Sequence, residues 1–97
     1  MASKDYAVYI MTNNSGALYI GVTNDLANRV EQHKSGNGSR FTSRYRLTRL
    51  DYYEYIDELD TARTRERQLK GWLRRRKVAL IFSINPTWRD LSETLAA

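Results

Sequence analysis

The chain has 97 residues, and its 16 Lys and Arg against 11 Asp and Glu give a net charge of +5. This length accommodates a single domain, residues 1–97 with a core at about 5–91, built around one hydrophobic core. The lack of cysteine excludes disulfides, a thiolate nucleophile and a cysteine-based zinc site, and it fits a cytoplasmic protein. The lack of any apolar run near ~18 residues predicts a soluble one.

Two strands open the chain. Residues 6–12 and 17–22 each alternate between two sets of side chains, a period of two that is typical of β-strands. The connection between them, NNSG, ends in glycine. That ending suits a three-residue hairpin loop at 14–16, because the last position of such a loop needs a left-handed backbone. The two runs therefore predict a β-hairpin.

The length of this loop sets the register of the hairpin. A three-residue loop pairs Met11 with Tyr19 and Tyr9 with Gly21. In that register both tyrosines lie on one face of the sheet, and Gly21 leaves the space that the Tyr9 ring needs. A shift of one residue would send one tyrosine to the opposite face.

A helix is predicted at residues 26–35. The polar residues 23–25 provide an N-cap, and Gly36 is a suitable left-handed stop. Arg29 and His33 are four residues apart, so the helix presents them on the same side. A lone histidine without cysteine is suited to acid–base chemistry or phosphate contact rather than to a structural zinc site.

The second half of the chain predicts one strand and two helical segments. The stretch GNGSRFTSRYR at 36–46 is polar and basic, and we expect a mobile loop there. Residues 50–56 are rich in aromatic side chains and predict the third strand. A long helix at 59–72 and a shorter apolar segment at 78–84 follow, and the Asn-Pro pair at 85–86 ends the pattern.

Glu66 lies on the apolar side of the long helix. It falls at steps of three and four residues with Leu59, Ala62, Leu69 and Leu73. A carboxylate among apolar side chains is costly unless it is paired or holds a cation. The ordinary explanation is an ion pair with Lys70, four residues on and helped by Arg63. The alternative is a Mg²⁺ ligand, since magnesium commonly takes one or two protein carboxylates and completes its shell with water and substrate phosphate.

Basic residues are concentrated in two segments. Eight lie between 63 and 77, and four lie in the expected loop between 40 and 49, with Arg49 as the last. This clustering is typical of a protein that binds a polyanion, although charged helix faces also serve solubility alone. The candidate phosphate contacts are Arg40, Arg44, Arg46, Arg63, Arg67, Lys70, Arg74 and Arg75.

Taken together, these residues resemble the GIY-YIG endonuclease superfamily. The matching features, in order, are AVY at 7–9, YIG at 19–21, Arg29, His33, Glu66, RERQLKGW at 65–72 and NPTW at 85–88. The resemblance spans nearly the whole chain and is strongest to the small stand-alone bacterial members. It departs from the pattern at Ala7, where the first motif has glycine, and at Val22, where the repair-excinuclease branch has lysine.

The resemblance implies an α+β fold with a three-stranded antiparallel sheet flanked by helices, in the order ββαβα with a short C-terminal helical segment. It implies hydrolysis of DNA phosphodiester bonds with Mg²⁺ or Mn²⁺, in repair or recombination. Low sequence specificity is expected because the chain has no appended recognition module. The DNA partner is branched or otherwise structured in relatives, and a monomer or weak dimer is expected. The catalytic residues that it implies are Tyr9, Tyr19, Arg29, His33, Glu66 as the metal ligand, and Asn85.

The general base is left open between Tyr9 and His33. Free tyrosine has a pKa of about 10, so it is a poor base at neutral pH unless a cation such as Arg29 lowers that pKa. Without such lowering, His33 with an ordinary pKa near 6.5 is the better base, and Tyr9 only positions the water.

Two rival functions stay open on the sequence alone. One is a nucleic-acid-binding domain of the same fold that cuts weakly or not at all. The other is a protein-interaction domain that uses its basic helix against an acidic partner. Metal-dependent nicking distinguishes the nuclease from a domain that only binds nucleic acid. Binding of DNA or RNA at low salt distinguishes both of these from the protein-interaction domain.

Overall fold

The computed structural model describes residues 5–95. The elements in chain order are β1 (Tyr6–Thr12), β2 (Leu18–Thr23), α1 (Leu26–Lys34), α2 (Arg40–Tyr45), β3 (Arg49–Ile56), α3 (Leu59–Gly71), α4 (Arg74–Ile84) and a C-terminal 3₁₀ helix (Leu91–Leu95). The three strands form one antiparallel sheet in the order β2-β1-β3. This is the α+β fold that the sequence predicts. No helix within residues 5–95 is long and apolar enough to cross a membrane.

The hairpin register is the predicted one. Met11 pairs with Tyr19 and Tyr9 pairs with Gly21. The turn before β2 has Gly16 at a φ of +89°, the left-handed conformation that glycine adopts without steric cost. The side chain of Asn13 closes the turn, because its Oδ1 accepts the backbone N–H groups of Ser15 and Ala17, each at 3.0 Å. A short polar turn therefore decides which face of the sheet receives the tyrosines.

Helices cover both faces of the sheet, so the molecule has two hydrophobic clusters. The cluster under α1 and the 3₁₀ helix contains Ala7, Tyr9, Met11, Leu26, Val30, Leu47, Leu50 and Leu91. The cluster under α3 and α4 contains Val8, Ile10, Ile20, Tyr52, Ala62, Leu69 and Ile81. Side chains alternate along β1, and this alternation divides its residues between the two clusters. Full burial of one such aliphatic or aromatic side chain contributes about 1.5–3 kcal/mol.

Local signals at both ends define α1. The Asp25 side chain accepts the backbone N–H of Asn28 at 3.3 Å, which satisfies one of the free donors of the first turn. At the other end Gly36 has a φ of +86° and stops the helix. The buried side of α1 contains Leu26 and Val30 and also His33, so the histidine faces the sheet rather than the solvent.

The segment 36–46 is not the loop that its composition predicts. Residues Arg40–Tyr45 form α2, and the Ser39 side chain caps it by accepting the backbone N–H of Thr42 at 3.1 Å. The helix ends at Arg46, which has a φ of 53°. Thr42 is fully buried, and this anchor holds the short helix against α1. A six-residue helix has too few positions for an apolar period to show, which is why its sequence resembles a loop.

The last two helices differ from the prediction at their junction. The long helix ends at Gly71, and α4 begins at Arg74 rather than at 78. Leu73 therefore lies outside α3 and is 67% exposed, so its place in the apolar stripe of Glu66 was wrong. The Trp72 ring between the helices has the Arg76 guanidinium 4.1 Å from its centroid, a cation–π contact that secures the junction.

Candidate active site

The hydroxyl of Tyr9 is the centre of a buried polar cluster. It lies 2.8 Å from Nε2 of His33, and Nε of Arg29 donates to it at 3.3 Å. Tyr9 reaches this point because the hairpin register directs its ring toward α1. Arg29 and His33 lie one turn apart on that helix. The structure therefore brings together the three residues that the two separate motifs predict.

The contacts of the cluster assign a direction to its hydrogen bonds. Oγ1 of Thr42 donates to the carbonyl oxygen of Ser39 at 3.4 Å, so it accepts from Nδ1–H of His33, which lies 2.9 Å away. A neutral His33 with its proton on Nδ1 leaves Nε2 to accept the O–H of Tyr9. The Thr42 hydroxyl in turn lies 2.9 Å from Oγ of Ser39. A continuous line of donors runs from Arg29 through Tyr9 and His33 to the cap of α2.

Burial moves the two pKa values of this pair in opposite directions. Burial raises the pKa of Tyr9 to about 12 and outweighs the hydrogen bond from Arg29, which lowers it. Burial, with the positive charge of Arg29, lowers the pKa of His33 to about 4. Arg29 does lower the pKa of Tyr9, but by less than burial raises it, so the pKa is not brought down as a tyrosine base would need. Both members of the pair are neutral at pH 7.

Tyr19 completes the aromatic wall of the cluster. Its ring centroid lies 6.2 Å from that of Tyr9 and 5.3 Å from that of His33. A Cβ atom at Gly21 would lie 2.6 Å from the Tyr9 hydroxyl oxygen, so the glycine of the second motif leaves the space that the hydroxyl occupies. Both predictions about the hairpin face, the shared side and the need for glycine, are confirmed.

Glu66 belongs to the helix that packs on the other face of the sheet from Tyr9. It lies on α3, and its Oε2 pairs with Nζ of Lys70 at 3.2 Å, which is the predicted ion pair. Its side chain is 19% exposed. Burial is the largest cause of the raised pKa of Tyr9, and the negative charge of Glu66 is a further one. The carboxylate is therefore within electrostatic range of the Tyr9 hydroxyl.

The donor set fits magnesium better than a metal held by protein ligands alone. Within residues 5–95 no group of three or more His, Cys, Asp or Glu side chains is arranged to hold a metal ion. Glu66 contributes one carboxylate, which is the number that Mg²⁺ commonly takes when water and substrate phosphate supply the rest of its shell. Zinc, which prefers three or four nitrogen and sulfur ligands, does not fit this set.

Asn85 has a different environment from the other predicted residues. It is 2% exposed, and its Nδ2 donates to the carbonyl oxygens of Asp51 at 3.1 Å and Arg89 at 2.9 Å. Its Oδ1 accepts the backbone N–H of Arg89 at 3.2 Å. These bonds tie β3 to the segment after α4, and neither partner belongs to the Tyr9 cluster. A catalytic role for Asn85 stays a prediction.

The comparisons with known proteins agree with this arrangement. The sequence model of the GIY-YIG catalytic domain matches residues 5–79, a span that contains Tyr9, Tyr19, Arg29, His33 and Glu66. The chain belongs to the GIY-YIG family. The GIY-YIG family is of the nuclease type, and the matched span contains the residues of the cluster.

Relatives of this GIY-YIG protein are small proteins of similar length. It is similar to the UPF0213 protein of Bacillus pumilus strain SAFR-032, with 34% identity over 77 residues that cover 79% of each chain. It is 36% identical over 74 residues to the UPF0213 protein of Staphylococcus aureus strain Mu3, covering 76% and 90% of the two chains. The solution NMR structure of the UPF0213 protein BH0048 from Bacillus halodurans matches with a TM-score of 0.57 and 27% identity, covering 88% and 90%.

The basic residues of this GIY-YIG protein divide into a surface set and a structural one. The eight candidate phosphate contacts, Arg40, Arg44, Arg46, Arg63, Arg67, Lys70, Arg74 and Arg75, are all exposed. Arg49, in contrast, belongs to β3 rather than to a loop, and its Nε donates to the buried carboxylate of Asp51 at 2.9 Å. Lys70 and Lys77 line a cavity of about 310 Å³ at the β2 edge, together with Tyr19 and Phe41.

Sequence reasoning missed three residues around His33. Thr42 binds its Nδ1, Phe41 packs on Tyr19, and a Cβ atom at Gly38 would overlap the imidazole ring of His33. A signal existed for Thr42, because a serine three residues earlier is a helix-capping pattern. Gly38 carries no such signal, since its need to be small comes from the packing of α1 alone.

Proposed function

We propose that this GIY-YIG protein is an endonuclease of the cytoplasm that hydrolyses DNA phosphodiester bonds with Mg²⁺ or Mn²⁺. Its sequence specificity is low, and its role lies in DNA repair or recombination. The observation that carries the proposal is the buried line of hydrogen bonds from Arg29 through Tyr9 to His33. Glu66 lies within electrostatic range of it, and an exposed basic surface is available for the DNA backbone.

Arg29 is the residue that binds the scissile phosphate. Its planar fork suits two phosphate oxygens at once, and its Nη1 is held by Oε1 of Gln32 at 2.9 Å. Burial lowers the pKa of Arg29, but contacts with the hydroxyls of Tyr9 and Tyr19 outweigh burial and raise it above its ordinary value. The guanidinium therefore stays charged and positioned before the substrate arrives.

Tyr9 and His33 together accept the proton of the attacking water. The water O–H bond breaks as its oxygen attacks phosphorus in line with the leaving oxygen. Its proton passes to the Tyr9 oxygen while the Tyr9 proton passes to His33 Nε2. The leaving oxygen takes a proton from solvent, and after the reaction the proton on His33 Nε2 returns to solvent through the Tyr9 hydroxyl, which restores the neutral pair. The relay needs no ionised tyrosine, and proton transfer by a positioned group contributes about 10²–10⁴ in rate.

Glu66 is the residue that would hold the metal. When bound, Mg²⁺ supplies Lewis-acid polarisation of the phosphate and charge stabilisation. In the structure Glu66 is paired with Lys70 at 3.2 Å, so the Lys70 ammonium has to move away from the carboxylate for a metal to bind. Tyr19 packs its ring against His33 and keeps the imidazole in the orientation that the relay requires.

The test is a nicking assay on supercoiled and branched DNA with Mg²⁺ and with Mn²⁺. Wild-type protein is expected to nick, and Glu66→Gln and Arg29→Ala are expected to lose nicking while circular dichroism shows an intact fold. Glu93→Gln, an exposed glutamate on the 3₁₀ helix, is the matched control. If the wild-type protein leaves both substrates intact with both metals, the proposal that it is a nuclease is rejected.

The ion pair of Glu66 with Lys70 favours a second candidate, a domain that binds nucleic acid without cutting it. In that case the carboxylate serves to hold α3 together. Both candidates predict DNA binding that weakens with salt. Nicking that requires Glu66 and a divalent ion separates them in favour of the nuclease.

A further inference from the structure

A run of aromatic rings leads from the buried cluster to the surface. The Tyr19 and Phe41 rings are stacked, with centroids 6.3 Å apart and an angle of 29° between their planes. The Phe41 and Tyr45 centroids follow at 4.9 Å. Phe41 and Tyr45 lie four residues apart on α2, so they share one side of that helix. The run begins in contact with His33, through Tyr19.

The outer rings of this run are open to solvent. Phe41 is 44% exposed and Tyr45 is 46% exposed. Neither belongs to the buried residues that attach α2, which are Thr42 within the helix and Leu47 after it. An exposed phenylalanine forfeits the free energy that burial supplies. Packing of Phe41 on Tyr19 covers part of these two rings, and the rest of each ring is open to a ligand.

Basic side chains lie near these exposed rings. Lys70 and Lys77 line the same cavity as Phe41, and the Arg44 guanidinium lies 5.7 Å from the centroid of the Tyr45 ring. Aromatic faces alternating with cations are the arrangement that binds nucleic-acid single strands, where bases stack on rings and phosphates meet the cations. The partner with complementary chemistry is a strand that carries both negative charge and free base faces.

We propose that Phe41 and Tyr45 form a stacking platform for an unpaired nucleobase beside the cleavage site. The DNA substrate is then single-stranded or locally unpaired at that position. In a duplex the base faces are covered by their neighbours, and their release costs a few kcal/mol. The proposal rests on the proposed function for the position of the cleavage site, and it adds the class of DNA that the site accepts.

The experiment measures binding by the full-length protein with a chelator present, so no cleavage occurs. The probe is an oligonucleotide of about 12 nucleotides that carries one 2-aminopurine, used alone and paired with its complement. Phe41→Ala is expected to weaken binding of the single strand about tenfold and to abolish the fluorescence quenching that stacking produces. Binding of the duplex is expected to stay unchanged.

Three further variants separate stacking from other effects. Phe41→Tyr keeps a ring and is expected to bind as wild type does, whereas Phe41→Leu keeps apolar contact without a ring and is expected to behave as Phe41→Ala does. Phe82→Ala is the matched control, since Phe82 is an exposed phenylalanine of α4 with 57% exposure. It is expected to change neither binding nor quenching.

The proposal is overturned by any of three results. These are equal loss of single-strand and duplex binding in Phe41→Ala, wild-type binding in Phe41→Leu, or the same loss in Phe82→Ala. Circular dichroism of each variant confirms its fold. If single-strand binding depends on Phe41 but the protein never nicks DNA, the stacking platform stands and the nuclease proposal is rejected. If the protein nicks DNA but Phe41→Ala has no effect on binding, the nuclease proposal stands and the platform is rejected.

Discussion

The Tyr9 hydroxyl oxygen and Nε2 of His33 lie 2.8 Å apart across 24 positions of sequence. Both side chains are buried, with exposures of 0% and 1%. Water does not compete for a hydrogen bond between two neutral groups in such a buried place, and the bond is strongly directional. It makes the two residues one proton-accepting unit, and the first two predictions follow from that unit.

The nicking rate should be independent of pH between about 6 and 9. Neither member of the pair titrates in that window, because burial holds the pKa of His33 at about 4 and that of Tyr9 at about 12. Single-turnover rates on supercoiled DNA across that range provide the measurement. A rate that rises tenfold with each pH unit would mean that an ionised group, and not the neutral pair, accepts the proton.

The stability of the protein should fall as pH is lowered from 6.5 toward 4 because of His33. Its pKa is about 4 in the folded protein and 6.5 in the unfolded chain, so the unfolded state binds the extra proton in this window and gains free energy. The shift lowers the free energy of unfolding by about 3 kcal/mol once the pH is below 4, and it has no effect above pH 6.5. Denaturant unfolding of wild type and of His33→Gln at several pH values checks this. The same dependence of the free energy of unfolding on pH in the two proteins would contradict it.

Gly38→Ala should disable the site without replacing a reacting group. The added methyl group would overlap the imidazole ring of His33, so the ring has to leave its position between Tyr9 and Thr42. We expect nicking to fall about as far as in His33→Gln, with a loss of about 1–3 kcal/mol in the free energy of unfolding.

Gly71→Ala is the matched control for this substitution. A Cβ atom there meets nothing within 4 Å, and the residue ends α3, so the change should be neutral or stabilise by up to about 1 kcal/mol. Nicking rates and denaturant unfolding of both variants give the comparison. Equal losses in the two would show that the position of His33 is not the cause.

Arg74 and Arg75 should contribute to DNA binding through phosphate charge. Each exposed arginine that neutralises one phosphate adds about 0.7 to the slope of log affinity against log salt on single strands. Replacing both with alanine should lower the slope by about 1.4. Arg76→Ala is the control, because that guanidinium lies over the Trp72 ring. An unchanged slope in the double variant would place the DNA elsewhere on the surface.

Much of the geometry of the site follows from local patterns. The odd loop length before Ala17 sets the hairpin register, and that register places Tyr9 and Tyr19 on one face. The spacing of four residues places Arg29 and His33 together. These rules act over a few residues, so the sequence alone sufficed for them.

The partners of the buried groups depend on contacts between distant segments. The sequence contains the Ser39 capping signal, but it does not show that α2 packs on α1 through Thr42 or that Leu73 falls outside α3.

By itself the sequence determined the sheet, the hairpin register and the meeting of Tyr9 and Tyr19 on one face with Arg29 and His33 on one helix. Only the tertiary structure decided the protonation of Tyr9 and His33, because the pKa of a buried group depends on how much water the surrounding segments exclude. The sequence places a cation near Tyr9 and leaves open whether that cation lowers the pKa of the phenol. The packing of α1 and α2 over the sheet removes the water and raises that pKa, since desolvation of the phenolate exceeds its attraction to Arg29.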